Sequence, residues 1–151
     1  MKGHSRLLMT QFRLLGLHVD ADPAYKTGGT GAFDLQFSAD LKLLEQGRMA
    51  LFLRVSADPH ESSTLPFTKL VAVGMGTFPL VGPETREGDV AHDVQVDAAE
   101  AVYGAMRATI VSATAAMPGG PHRLNAIDWD NVDINVHPTG AALPDLQAYT
   151  G

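Results

Sequence analysis

The residue pairs in the sequence that could support catalysis are His92-Asp93 and Asp128 with Asp130. An imidazole beside a carboxylate is typical of metal-dependent hydrolases and of general acid–base pairs. Such a site also needs further ligands, or a nucleophile and an orienting group, and none is spaced to join either pair. The pairs therefore keep one catalytic alternative open, a small enzyme built on a curved sheet around a helix.

Three nearby carboxylates, Asp128, Asp130 and Asp133, have part of the spacing of a calcium-binding EF-hand loop. That loop needs glycine at the place of Asp133, an oxygen ligand at Val132 and glutamate at Thr139. All three requirements fail. The acids are thus predicted to begin a helix or form a turn, and no metal is expected.

Two glycine-rich stretches suggest nucleotide binding only superficially. The run Leu70–Gly76 has the start of a dinucleotide fingerprint, but Pro79 stands where the third glycine belongs and no helix follows at once. A strand is favoured, with Gly74 and Gly76 marking a bend, a bulge or a close contact. Lys26–Gly31 lacks the residue order of a phosphate-binding loop and is predicted to be a mobile loop. We therefore expect no cofactor.

The composition favours one globular domain. The chain has 151 residues, of which 45% are hydrophobic and 19% charged, so it can form a core. Its net charge of −6, without a run of Lys or Arg, argues against nucleic acid and anionic membranes as partners. Cysteine is absent, which excludes disulfides and thiolate chemistry and is compatible with the cytoplasm.

No apolar stretch reaches the length of about 20 residues that a membrane-spanning helix needs, so no membrane insertion is expected. Residues 12–137 are predicted to form the domain. Residues 1–11 are predicted to be a flexible N-terminal segment, and residues 138–151 a loose C-terminal tail.

Residues before about position 80 have the patterns of strands. Phe12–Val19 and Phe67–Phe78 are apolar runs, and polar and apolar residues alternate from Phe33 to Leu43 and again from Met49 to Ala57. Glu45–Gly47 between the alternating runs is predicted to be a hairpin turn. These strands predict an antiparallel sheet.

A helical period replaces the strand pattern after an irregular connection, Pro79–Val96. Asp97 and Glu100 have capping-box spacing, and apolar residues then recur at steps of three and four: Val102, Met106, Ile110, Ala113 and Met117. Small residues make part of this helix thin, namely Ala101, Gly104, Ala105 and Ala108. Residues 128–137 could be a short helix, or extended, because polar and apolar residues alternate from Asn131 to Val136.

The order and spacing of several motifs resemble the SecB family of protein-export chaperones, over Phe12 to about Ile134. The motifs are Leu53-Arg54-Val55-Ser56, the glycines before Phe78, Tyr103-Gly-Ala-Met-Arg107, and Gly119–Leu124 followed by Asp128-Trp129. The resemblance implies an α+β fold, a four-stranded antiparallel sheet with a long helix and a short second helix or extended segment on one face.

The resemblance also implies an ATP-independent chaperone (a holdase) that binds unfolded polypeptides and keeps preproteins competent for export, without catalysis. It further implies a homotetramer built as a dimer of dimers. Family members dock the motor SecA through an acidic patch. The aligned position in the fourth strand is Val71 here, so whether SecA is a partner stays open. A dedicated chaperone of a toxin–antitoxin system is the alternative within this class.

Two sets of residues are predicted to form the interaction surfaces. Clients are expected in a groove between the sheet and the C-terminal segment, on four aromatic residues: Phe33, Phe37, Phe78 and Trp129. Trp129 is expected to be accessible, because Asp128 and Asp130 beside it disfavour deep burial. Oligomer contacts are expected at the sheet edge and at the thin part of the helix: Ala101, Gly104, Ala105 and Ala108.

Overall fold

The computed structural model describes residues 8–22, 33–44, 47–59, 65–79, 85–86, 89–117 and 120–137. Four long strands come first: β1 (Gln11–Ala21), β2 (Phe33–Leu44), β3 (Arg48–Pro59) and β4 (Phe67–Pro79). A small hairpin, β5 (Thr85–Arg86) and β6 (Asp89–Val90), leads into the helix α1 (His92–Thr114), and a 3-10 turn (Trp129–Asn131) and β7 (Asn135–His137) follow. The predicted tail, residues 138–151, lies outside the described residues.

The main sheet has the strand order β1-β4-β3-β2-β7. Neighbouring strands are antiparallel except β7, which runs parallel to β2 over Asp40–Lys42. The α+β class and the single long helix agree with the sequence prediction, but the sheet is mixed and has a fifth strand. The alternation from Asn131 to Val136 indicated an extended segment here, but a pattern within one segment does not show which strand that segment pairs with.

The β2–β3 hairpin forms where the alternation predicted it. Its register runs without interruption from Phe33 opposite Pro59 to Leu44 opposite Arg48. Gly47 has φ 66°, a left-handed conformation that glycine adopts without steric cost, and this lets the chain reverse beside Arg48. The hairpin fixes which residues of β2 face the helix.

The core lies between α1 and one face of the sheet. The buried helix residues include Val102, Met106 and Ile110, and they pack over β3 and β4. Gly74 and Gly76 allow this approach: a Cβ atom on Gly76 would lie 2.6 Å from Val102 Cγ2, and one on Gly74 would lie 2.9 Å from Met106 Cγ. Close contact is therefore observed at both glycines, and the register of β1 also shifts between Leu14 and Gly16, opposite Gly74 and Val73.

The helix begins earlier than its sequence pattern indicated. Asp97 was expected to cap it, but α1 starts at His92 after Ala91, which makes no side-chain capping bond. The predicted irregular stretch therefore includes the first turn of the helix and the β5–β6 hairpin. Asp93 compensates for the missing cap in part, because its Oδ1 accepts a hydrogen bond of 3.0 Å from Val94 N.

The N-terminal boundary also differs from the prediction. Gln11 already belongs to β1, and Thr10 N donates a hydrogen bond of 2.8 Å to Thr77 O. The predicted flexible segment, residues 1–11, is thus part of the sheet at its end, and residues 1–7 lie outside the described residues.

The post-helix segment (residues 120–137) is mostly extended and contains no second α-helix. It docks first against the end of α1: Gly120 lies so close to Thr114 that a Cβ atom would meet the carbonyl oxygen of Thr114. The buried Thr114 Oγ1 donates to Ile110 O (2.6 Å) and accepts from His122 N (2.8 Å). Of the two predicted alternatives, the extended segment is the one present.

Candidate functional site

The structure brings together only part of the predicted aromatic set. Phe37 and Trp129 are in contact, with ring centroids 5.2 Å apart. Phe33 lies at the start of β2 beside Phe67, at 6.1 Å. Phe78 lies towards the other end of the sheet, opposite Met49, and is completely buried. Two of the four residues therefore meet directly, and Phe78 belongs to the core.

Trp129 is a core residue as well, since only 2% of it is exposed. Its ring packs on Phe37 and, at 5.6 Å, edge-on against Tyr103 of α1. The hydroxyl of Tyr103 donates a hydrogen bond of 2.5 Å to Asn125 O, which attaches the post-helix segment to the helix. Burial raises the pKa of Tyr103 to about 12, an effect that the nearby Arg107 guanidinium reduces.

The expectation that acidic neighbours would keep Trp129 accessible is wrong. Asp128 caps the 3-10 turn: its Oδ1 accepts from Asp130 N (3.2 Å) and its Oδ2 accepts from Asn131 Nδ2 (2.6 Å). Both acids are exposed while the tryptophan between them points inward. Carboxylates that are satisfied by their own turn can remain in water beside a buried ring.

A second aromatic cluster was not predicted from the sequence. The ring of Phe67 lies between Phe33 of β2 and His122 of the post-helix segment, and its centroid is 5.2 Å from that of His122. Phe67 begins a strand that the sequence predicted. It is far from His122 in the sequence, however, and no sequence pattern indicates that the two residues are in contact. The cluster closes one end of the space between sheet and helix.

The start of β2 presents a surface that is apolar and only half-buried. We call Phe33, Leu35 and Phe37 the β2 patch. These residues alternate with the exposed Asp34, Gln36 and Ser38. They pack against the core from its margin, whereas Ala39, Leu41 and Leu43 further along the strand are buried within it. The β2 patch is thus the part of the predicted client groove with accessible apolar surface.

The thin part of α1 is only partly covered by the rest of the described structure. Gly104 and Ala108 are exposed, and Ala101 and Ala105 are half-buried. Among the described residues, a Cβ atom on Gly104 would meet nothing within 4 Å apart from the adjoining backbone of its own helix. A shallow groove of about 430 Å³ lies here and is lined by Gly104, Arg107, Ala108, Val111, Arg123 and Leu124. It combines an apolar floor with two guanidinium groups.

The opposite face of the sheet carries Val71 of β4, which is 6% exposed. Val71 pairs with Ser56 of β3. Neither residue of this pair carries a carboxylate. Further along the same sheet, His137 of β7 contacts Asp40 of β2, with 2.9 Å between Nε2 and Oδ1. This contact adds a polar tie to the three-residue pairing of β7 with β2.

One contact joins two residues of the catalytic alternative. His92 Nε2 lies 3.2 Å from the backbone oxygen of Asp130, so its nitrogen acts as a donor towards a carbonyl. Asp93 and Asp128 are engaged with backbone groups of their own turns. Across the described ranges, no three His, Asp or Glu side chains are grouped to hold a metal ion.

In the part of the chain that the structure describes, no helix is both long and apolar enough to cross a membrane. No family model matches the chain, and no curated protein is similar to it in sequence.

Solved structures with a similar fold include the SecB-like chaperone Rv1957 of Mycobacterium tuberculosis, in complex with a ChAD peptide from the antitoxin HigA1 (Rv1956). The TM-score is 0.59 at 15% sequence identity, over 82% of this chain and 91% of the other. At this identity the similarity establishes the fold alone. The protein therefore has the fold of a SecB-like chaperone.

Proposed function

We propose that this protein is an ATP-independent holdase that binds unfolded polypeptides. The observation that carries the proposal is a fold shared, over most of both chains, with a chaperone that was solved with a peptide bound. Accessible apolar surface is what a holdase needs to capture unfolded chains, and the β2 patch supplies it at the margin of the core. The net charge of −6 would keep such a protein soluble.

The proposed client site is the β2 patch. Phe33 and Phe37 would contact the client through their exposed sides, as aromatic anchors do at protein interfaces. Trp129 would support the site from below, since it packs beneath Phe37 and is itself buried. Phe78 remains in the prediction only as a core residue that maintains the sheet.

Aggregation of an unfolded model protein tests this proposal. We expect an equimolar dose of the protein to slow the aggregation of urea-unfolded malate dehydrogenase after dilution. The double variant Phe33→Ser/Phe37→Ser should lose most of this effect. Leu15→Ser is the matched control, because Leu15 is an exposed apolar residue on β1, away from the β2 patch.

A protein that leaves the rate of aggregation unchanged at a several-fold excess would contradict the holdase function. If Leu15→Ser and the double variant lost protection equally, the assignment of the client site to the β2 patch would be refuted, but the holdase function would not. Circular dichroism of each variant must first show that the fold is retained.

A dedicated chaperone of a toxin–antitoxin system is the second candidate, favoured by the antitoxin peptide bound to the neighbour. The two candidates differ in selectivity: a dedicated chaperone would bind one antitoxin segment much more tightly than other unfolded chains. Titration of the protein with the neighbour's ChAD peptide and with reduced, unfolded lactalbumin measures that difference. An export chaperone in the cytoplasm would bind both with similar affinity, and SecA binding would be a separate property.

Self-association through α1 is the proposed mode of assembly. A helix surface with very small residues lets a second helix approach closely, and Gly104 and Ala108 provide such a surface. Glu100 lies one turn before Gly104 and is exposed. In an antiparallel, two-fold pairing centred on Gly104, Glu100 of one copy faces Arg107 of the other. Pairing of opposite charges would then fix the orientation.

Multi-angle light scattering tests the assembly. We expect a dimer or tetramer for the wild type and a smaller species for Ala105→Arg, which places a charge in the contact. Glu100→Arg should also dissociate the assembly, and adding Arg107→Glu to it should restore association. A wild-type monomer at micromolar concentration would refute this interface.

A further inference from the structure

His122 is a buried histidine without a polar partner for one ring nitrogen. Only 5% of the residue is exposed, and its Nε2 has no hydrogen-bond partner in the described structure. The ring instead packs on Phe67. A neutral imidazole can remain in such a place at modest cost, but a protonated one must be hydrated or paired.

Charged residues occur on the elements around His122. Lys69 of β4, Asp34 of β2 and Arg123 in the adjoining chain are all exposed. Asp22 of the chain after β1 approaches through its backbone, as its N donates to Pro66 O at 2.9 Å. The last turn of α1 contributes no basic residue. Burial, rather than any of these charges, lowers the pKa of His122.

The position of His122 connects its protonation to the post-helix segment. Its backbone N–H is bound to the buried Thr114, and its ring closes the Phe33–Phe67 cluster. Three residues further on, Asn125 O accepts the hydrogen bond of Tyr103, and this is followed by Trp129. These contacts connect the surroundings of the His122 ring to the first part of the post-helix segment, so loss of the ring's packing weakens the attachment of that segment to the sheet and helix.

We propose that His122 is an acid-sensitive latch: protonation of its ring releases the first part of the post-helix segment and exposes the aromatic surface formed by Phe33, Phe37 and Phe67. The closed form holds the histidine neutral, and the open form accepts the proton. If the protein is a holdase, as proposed above, its apolar client surface grows when the pH falls.

The direction of the effect follows from proton linkage. Because burial lowers the pKa of His122 below its ordinary value of about 6.5, the open form binds the proton more tightly than the closed form. The closed form is therefore fully favoured above about pH 6.5 and is weakened as the pH falls below that value. One proton can shift the equilibrium by up to about tenfold per pH unit.

Trp129 fluorescence tests the latch without any client, since it is the single tryptophan and is buried. We expect the wild-type emission to move to longer wavelength as the pH falls from about 7.5 to about 5.5. His122→Phe keeps an aromatic ring on Phe67 but cannot be protonated, so its emission should not change. His122→Gln is the second variant should the larger ring prevent folding.

His92 and His137 are the matched controls, because they are histidines outside the Phe33–Phe67–His122 cluster and contact Asp130 and Asp40 respectively. His92→Gln and His137→Gln should keep the wild-type response. The latch is refuted by a pH-independent wild type, by an unchanged response in both His122 variants, or by loss of the response in His92→Gln. Aggregation assays at the two pH values then test the chaperone function separately.

Discussion

The two sides of α1 both involve very small residues, but in opposite arrangements. On the inner side the glycines are on the sheet, and large helix side chains fill the space above Gly74 and Gly76. On the outer side the small residues are on the helix itself, and in the described part of the chain only adjoining helix backbone lies within 4 Å of a Cβ placed on Gly104. Glycines in the sequence therefore mark a tightly packed contact on one side of α1 and an open surface on the other.

The difference shows what a small residue contributes. Opposite Met106 and Val102, a glycine lets the helix and the sheet pack at van der Waals distance. A larger residue at that position must displace the core side chains that pack on it. On the outer surface a small residue leaves a groove that only another molecule can fill. Substitutions on the two sides of α1 should therefore change the free energy of unfolding by different amounts, and even in opposite directions.

The largest effect is expected from truncation on the inner side. Met106 is fully buried and lies above Gly74, so Met106→Ala leaves a cavity that the rigid sheet cannot fill. We expect a loss of about 2–5 kcal/mol in the free energy of unfolding. Urea denaturation measures it, with Val111→Ala on the outer groove as the control, for which about 1 kcal/mol or less is expected. Similar losses in the two variants would remove the distinction between the sides.

The same substitution on each side gives an intermediate effect of opposite sign. Gly76→Ala brings a methyl group to 2.6 Å from Val102 Cγ2, which should cost about 1–3 kcal/mol. Gly104→Ala adds a methyl group in open space and improves helix propensity, so it should stabilise a monomer by about 0.5–1 kcal/mol. Thermal or urea unfolding of the two variants checks this. Destabilisation by Gly104→Ala would indicate that the outer side is packed in solution.

Tyr103 lies beside Gly104 but is buried against Trp129, and its ionisation should affect stability only in alkaline solution. Its pKa is raised from about 10 to about 12, so the folded state holds its proton where the unfolded state has lost it. Stability should thus fall by roughly 1 kcal/mol per pH unit from pH 10 to about pH 12. Tyr103→Phe should remove this part of the decline. An identical pH profile in the variant would show that the phenol is not the cause.

The sequence was sufficient to predict the central sheet and the helix, because their residues repeat with a clear period. Phe33–Leu43 and Met49–Ala57 alternate over their full length, and that alone defines a hairpin with one face towards the core. The start of α1 was placed too late, because Ala91 has no capping side chain to mark it. Boundaries without a side-chain signal are set by tertiary contacts.

The candidate site was predicted less completely. Phe33 and Phe37 were correctly placed on the apolar side of β2, but the burial of Trp129 depends on how Asp128 satisfies its own turn. The pairing of Phe67 with His122 depends on how the post-helix segment docks on Thr114. Neither arrangement leaves a periodic trace in the sequence, since both arise from single contacts between distant residues.

The strand order of the sheet has a consequence for how the chain folds. The central pair, β2 and β3, closes across one short turn, whereas both edges depend on distant residues. Thr10 meets Thr77 across 67 positions, and Asp40 meets His137 across 97. Because long loops delay contact formation, the central hairpin should form first and both outer strands last. During synthesis on the ribosome, this protein would thus expose apolar strand edges of its own until β7 has emerged.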